Sequence, residues 1–61
     1  MNNLKKRREE LNLTQKQVAD NAQIGLRLYQ YYECENRVPS VLIAIKLADA
    51  LKSTVEKLFK V

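Results

Sequence analysis

Apolar residues recur at spacings of three and four almost from one end of the chain to the other, and nowhere do Val, Ile or Thr alternate with polar residues as a half-buried strand demands. The chain is therefore expected to be all-α. Its punctuation is sparse: the only glycine, Gly25, and the only proline, Pro39, fall where turns are useful. With 61 residues there is room for one small core, since a domain of this size buries only about 60% of the surface its unfolded chain exposes. A single domain over 1–61, too small to enclose a catalytic cleft, is the expectation.

The periodicity divides into five short helices, a compact five-helix bundle. The first runs from about Asn3 to Leu11, with Leu4 and Leu11 on one face. Thr14 followed three residues later by Gln17 is a capping box, so a second helix starts there and turns Val18, Ala19 and Ala22 inward. A third covers Leu26 to Cys34, and Pro39 holds Val38 extended after it. Ser40 caps a fourth, Val41 to Leu51, whose buried side is read as Ala44, Ile45, Leu47, Ala48 and Leu51. Thr54 opens a fifth, holding Val55, Leu58 and Phe59.

Composition narrows the function. Eleven Lys and Arg against seven Asp and Glu give a net charge of +4, which favours an acidic partner such as nucleic acid. A lone Cys34 and the absence of His leave no disulfide framework and no Cys/His metal site. Neither a membrane span nor the apolar segment of a signal peptide is visible, and cytoplasm is the expected compartment. An enzyme is the least favoured class: Cys34 has no base beside it, and the pairs Glu9-Glu10 and Glu33/Glu35 imply no pocket. No cofactor or small-molecule ligand is implied.

Two short helices a few residues apart, the first ending in small residues and the second carrying aromatics, make a helix-turn-helix over about 15–34. Such a corner needs small or apolar side chains at its helix-helix contact. Val18, Ala19, Ala22, Ile24, Tyr29 and Tyr32 supply them. The helical phase assigns Tyr29 and Tyr32 to the core and leaves Tyr31 nearer the outward side with Arg27 and Gln30. Arg27 has the fork of donors that suits guanine O6 and N7, and Gln30 suits adenine N6 and N7. The bland alternative is that both are solvated polar residues. The start of the second helix, Thr14 to Gln17, offers free N–H groups to a phosphate, with the charge of Lys16 beside it.

With Leu13-Thr14-Gln15, Val18-Ala19, Tyr32-Glu33, Asn36-Arg37-Val38-Pro39-Ser40, Leu47-Ala48-Asp49-Ala50-Leu51 and Leu58-Phe59, the chain resembles the Cro/cI-type (XRE-like) helix-turn-helix repressors of phages and bacteria over nearly its whole length. The resemblance implies a lambda-repressor-like DNA-binding domain whose third helix reads bases in the major groove through Leu26, Arg27, Gln30 and Tyr31. It implies phosphate contacts from Gln15, which also braces the first base-reading residue, and from Asn36, Arg37 and Ser40. It further implies an ion pair between Arg8 and Glu33. Lys5, Lys6 and Arg7, offset by Glu9 and Glu10, read as an ordinary solvated face.

Several positions depart from the family pattern. Gln23 replaces the customary Gly of the turn, Gly25 stands where Ser or Thr usually caps the recognition helix, and Glu35 stands where Gly commonly closes it. A left-handed Glu35 would cost about 1–2 kcal/mol, and Asn36 is the other place for that strain. Leu26 either packs on a thymine methyl or signals altered specificity. Leu42, Ile43, Phe59 and Val61 form a candidate dimer patch, with core packing the alternative for Ile43 and Phe59.

The reading that follows is a sequence-specific double-stranded DNA-binding transcriptional regulator, a repressor acting as a homodimer on an inverted repeat. It would be bacterial or phage-encoded, nucleoid-associated, and open to control by an antirepressor or other partner protein. The alternative is an antitoxin-like module that neutralises a partner protein, favoured if Leu26, Leu28 and Leu42 are all exposed. Single-strand binding by base stacking would need at least two outward tyrosines.

Overall fold

The computed structural model describes residues 2–59. Among these residues the chain forms helices α1 (Leu4–Glu10), α2 (Gln15–Asn21), α3 (Leu26–Glu33), α4 (Val41–Ala50) and α5 (Val55–Leu58), with no strand. No helix among them is long and apolar enough to cross a membrane.

Three helix starts follow from local hydroxyl chemistry. Thr14 Oγ1 accepts from the Gln17 N–H at 3.1 Å while Gln17 Oε1 accepts from the Thr14 N–H at 2.8 Å, completing the capping box. Ser40 and Thr54 likewise accept from Ile43 N–H and Lys57 N–H. Asn3, read from sequence as the first helical residue, is instead the N-cap of α1, and Leu11, Ala22, Cys34 and Leu51, read as the last residues of their helices, are the C-caps. Each of these four keeps helical or near-helical geometry, which is why periodicity alone counts it in.

Four helix ends use one device. After α1, α2, α3 and α4 the residue that follows the C-cap turns left-handed, at Asn12 (φ 57°), Gln23 (φ 60°), Glu35 (φ 63°) and Lys52 (φ 51°). Paired reverse hydrogen bonds close each end: Asn12 N–H to Glu9 O with Leu13 N–H to Arg8 O, and the same pattern at Gln23/Ile24, Glu35/Asn36 and Lys52/Ser53. These are Schellman motifs built without glycine. The strain at the end of α3 therefore falls on Glu35 and not on Asn36. Gly25, by contrast, has ordinary extended geometry (φ −68°) as the α3 N-cap, so its freedom is unused.

The core joins Leu4 from α1, Val18, Ala19 and Ala22 from the α2 side, Tyr29 and Tyr32 from α3, Ala48 and Leu47 from α4, then Leu51 and Leu58. Burying a side chain of the Leu or Val class contributes about 1.5–3 kcal/mol. Leu11, Leu13, Ile24, Leu28, Ile43 and Phe59 pack against this cluster while partly buried. Ile45 does not join it: expected on the buried side of α4, it stands 47% exposed. An apolar stripe covers only part of a helix circumference, and the run Val41-Leu-Ile-Ala-Ile45 is too continuous for every member to face inward. Val55, expected within the fifth helix, lies there with its side chain exposed.

The basic start of α1 also carries more structure than a solvated face. Arg7 Nε donates to Leu51 O at 2.9 Å and Nη2 to Lys52 O at 3.0 Å, so its guanidinium holds the C-terminal carbonyls of α4. Ahead of it, Asn2 Nδ2 donates to Tyr32 O, and Asn3 donates through its backbone to Leu58 O and through its side chain to Lys57 O. The beginning of the chain is thereby tied to α3 and α5.

Candidate nucleic-acid interface

The corner between α2 and α3 rests on small residues. Val18, Ala19 and Ala22 are buried, so the α2 backbone can approach α3 closely, and α3 fills the contact with the rings of Tyr29 and Tyr32. Successive side chains on a helix turn by about 100°. Turning Tyr29 and Tyr32 inward therefore puts Arg27 and Gln30 on the outward side, and Leu26, at the start of the helix, is exposed as well. Arg27 has no ion-pair or hydrogen-bond partner among the described residues. Its five donors are available to a ligand.

Behind this surface runs a continuous hydrogen-bonded relay. Gln30 Nε2 donates to Gln15 Oε1 at 3.1 Å, and Gln15 Nε2 donates to Glu33 Oε1 at 3.0 Å. Arg8 grips the same carboxylate with Nε on Oε2 at 2.9 Å and Nη2 on Oε1 at 3.1 Å, while its Nη1 donates to Leu13 O at 3.1 Å. The pair is nearly enclosed, with 14% of the Arg8 side chain and 6% of the Glu33 side chain exposed. Burial opposes ionisation of Glu33. Hydrogen bonds from Arg8 and the Gln15 amide, together with the charge of Arg8, outweigh it and hold the carboxyl below its ordinary value. Glu33 in turn raises the pKa of Arg8. The Tyr29 hydroxyl lies beside this pair yet falls short of a hydrogen bond with either member, and burial, then the nearby carboxylate, push its pKa up.

The remaining residues assigned to DNA lie at the ends of the corner. The Thr14 hydroxyl is engaged as the α2 cap, and exposed Lys16 pairs with Asp20 at 3.2 Å across one helical turn, a contact worth little in water. After α3, Asn36, Arg37 and Ser40 are exposed, Ser40 capping α4. The Arg37 guanidinium lies over the half-buried Tyr31 ring, 5.0 Å from its centroid. Tyr31 thus carries a cation over its ring, a pairing that neither residue type announces in sequence.

The structure separates the candidate dimer patch. Ile43 and Phe59 pack against the core, Leu42 is exposed, and Val61 lies outside the described residues. Besides Leu42 (64% exposed), Val38 (91%), Val41 (78%) and Ile45 at and before the start of α4 are exposed, three apolar residues that the candidate patch left out. Their signal was the uninterrupted apolar run at the start of α4, too broad for one buried stripe. Leu28, by contrast, packs against the core, and Tyr31 is the one tyrosine outside it. The conditions set for the antitoxin-like and single-strand-binding alternatives are therefore not met.

A helix-turn-helix family model matches residues 4–58 of the chain, α1 through α5. The cryptic phage CTXphi transcriptional repressor RstR of Vibrio cholerae serotype O1 is 36% identical over 55 residues, an alignment covering 90% of this chain and 49% of the relative. The chain thus spans about half the length of the curated relative it matches. The family match takes in the tyrosine-filled corner and the relay along with the rest of the helices, and the chain belongs to the helix-turn-helix family of Cro/cI-like regulators.

Proposed function

We propose that this chain is a sequence-specific double-stranded DNA-binding transcriptional regulator, a repressor, that reads the major groove with α3. The observation that carries this reading is the sorting of α3: Tyr29 and Tyr32 are buried while Leu26, Arg27 and Gln30 face outward, with Gln30 held from behind by Gln15. Arg27 supplies a bidentate donor for guanine and Gln30 an edge for adenine. Leu26 offers its methyls to thymine, and Asn36, Arg37 and Ser40 meet the backbone phosphates. The resemblance to a phage transcriptional repressor supports the repressor role. The site of action would be the cytoplasm.

The active form is a homodimer on an inverted repeat, its copies meeting through Val38, Val41, Leu42 and Ile45. One copy measures 25 Å in its longest dimension between Cα atoms. Successive major grooves on one face of a duplex are about 34–36 Å apart, a span that two copies in side-by-side contact can cover.

The test is fluorescence anisotropy on the duplex upstream of the gene encoding the chain and on a scrambled duplex, both at about 150 mM salt, where non-specific dissociation constants are about 10⁻⁴–10⁻⁶ M. A preference of about a thousandfold with two protomers per duplex is expected. Arg27→Ala should then cost about 1–3 kcal/mol at one base position, whereas Arg37→Ala should weaken every duplex and flatten the salt slope by about one unit. Equal weak binding of the wild type to both duplexes would sink the reading and favour a partner-neutralising module.

A further inference from the structure

Lys6, Arg7, Lys52 and Lys57 converge on a cavity of about 260 Å³ between α1 and the junction of α4 with α5. Among the described residues, Glu10 is the one acid that lines it, and none of its lining residues belongs to α2 or α3. Four cations against one carboxylate leave an excess of three positive charges. The ammonium groups of Lys6, Lys52 and Lys57 have no ion-pair or hydrogen-bond partner among the described residues. Like charges gathered around a concave surface repel one another and focus their field into it, so the arrangement favours an anion in their midst.

The walls of this cavity are fixed by contacts of the fold itself. Arg7 donates to Leu51 O at 2.9 Å and to Lys52 O at 3.0 Å, tying α1 to the end of α4. Asn3 donates through its side chain to Lys57 O at 2.8 Å and through its backbone to Leu58 O at 2.7 Å, tying the start of α1 to α5. Lys52 holds the left-handed position after α4, where glycine would serve the backbone better, and its side chain brings a cation to the cavity. Lysine and arginine side chains only donate hydrogen bonds, so their ligand must be rich in acceptors and carry more than one negative charge. The volume falls below the roughly 300–1,000 Å³ of sites that enclose drug-sized ligands, which calls for a compact group. A diphosphate, with several ionised oxygens on a short frame, meets these demands.

Independently of how α3 meets DNA, we propose that this cavity is a binding site for a diphosphate group, free or carried by a nucleotide, held by Lys6, Lys52, Lys57 and the uncommitted N–H groups of Arg7.

The experiment is calorimetric titration of the protein with pyrophosphate, ADP and sulfate at matched ionic strength. One pyrophosphate should bind per chain, about tenfold or more tighter than sulfate. Lys57→Gln and Lys52→Gly should each weaken pyrophosphate binding by about tenfold. Glycine suits the left-handed backbone at position 52, so the loss in Lys52→Gly should come with a fold no less stable, which a denaturant melt checks. Lys5→Gln removes the same charge from α1 outside the cavity lining and should leave the affinity within about twofold. Glu10→Gln removes the opposing carboxylate and should tighten binding.

Tighter binding of ADP than of pyrophosphate would mark a nucleotide as the source of the group, and the reverse would mark the free anion; both uphold the site. Equal affinities for pyrophosphate and sulfate, or equal losses in Lys5→Gln and Lys57→Gln, would overturn the proposal and leave a diffuse basic surface. Duplex binding separates the cavity from the DNA-facing helices. Lys57→Gln should leave duplex affinity and its salt dependence unchanged. A salt slope flattened by about one unit in that variant, with no pyrophosphate bound by the wild type, would overturn the proposal in favour of a contact to the DNA backbone.

Discussion

Arg7 and Arg8 are neighbours on α1, yet they clasp different parts of the molecule with opposite chemistry. Arg8 reaches α3, where both oxygens of a nearly enclosed carboxylate receive it, and Leu13 O takes its third donor. Arg7 reaches the end of α4, where the neutral carbonyls of Leu51 and Lys52 receive it, and its remaining nitrogen meets half-exposed Glu10 at 3.3 Å. Both clasps involve a helix end closed by a left-handed residue, Asn12 beside Leu13 and Lys52 itself. The difference is one of stakes. A buried charge pair is costly to break because the survivor is left without compensation, whereas a neutral carbonyl that loses its donor leaves no unpaired charge. The Arg8 side also leads through Gln15 to the outward face of α3, while the Arg7 side braces the core.

The largest expected effect of breaking this comparison is Glu33→Ala, which strands the Arg8 guanidinium. It should lower stability by about 3–5 kcal/mol, read as a large fall in melting temperature or outright unfolding; an unchanged melting temperature would refute an energetic role for the pair. Arg7→Ala should cost less, about 1–3 kcal/mol for two charge-assisted hydrogen bonds, with little change in the sequence preference of any DNA binding. If denaturant melts ranked the two substitutions the other way round, the distinction between the clasps would fail.

Acid should separate them as well. The Glu33 pKa is lowered on folding, so its contribution is fully present above the unfolded value of about 4.3 and is lost as pH falls through the folded value. Wild-type melting temperature should therefore drop through that acid range. In Glu33→Gln the drop should be shallower, and in Arg7→Ala it should remain as steep as in the wild type.

The smallest effects concern the helix ends beneath the clasps. Lys52→Gly relieves a left-handed lysine and should add about 1 kcal/mol in chemical denaturation. Asn12→Gly should add only a few tenths, since asparagine tolerates this conformation. Equal gains would mean that the two ends carry equal strain.

The legibility of the fold divides at the two ends of each helix. Starts at Thr14, Ser40 and Thr54 were readable because a hydroxyl and an amide within one turn complete the cap themselves. Ends were readable only as far as the caps Ala22, Cys34 and Leu51, with Glu35 one of two candidates for the left-handed residue after α3; the left-handed Gln23 and Lys52 were not, because neither is the glycine that normally marks such a residue. At the first two non-glycine ends, tertiary packing supplies an evident compensation: Leu13 and Ile24, just past Asn12 and Gln23, pack against the core. Ile45 and Arg7 were misjudged for a related reason. Periodicity reports which face of a helix is apolar, and cannot report how much of that face a neighbour covers.

In the interface, the types of residue needed for base and phosphate contacts were present at recognisable spacings, and helical phase alone separated Arg27 and Gln30 from Tyr29 and Tyr32. Those properties are local, repeating every few residues, and so the chain's own order suffices to specify them. The clasp of Arg8 on Glu33, the passage of that restraint through Gln15 to Gln30, and the seat of Arg37 over Tyr31 join residues from separate helices or a helix and a loop. Sequence distance carries no direct measure of such proximity. The packing of α1 and α2 against α3 brings these side chains within hydrogen-bond reach, and the acceptor-only chemistry of a carboxylate then gives their contacts a direction.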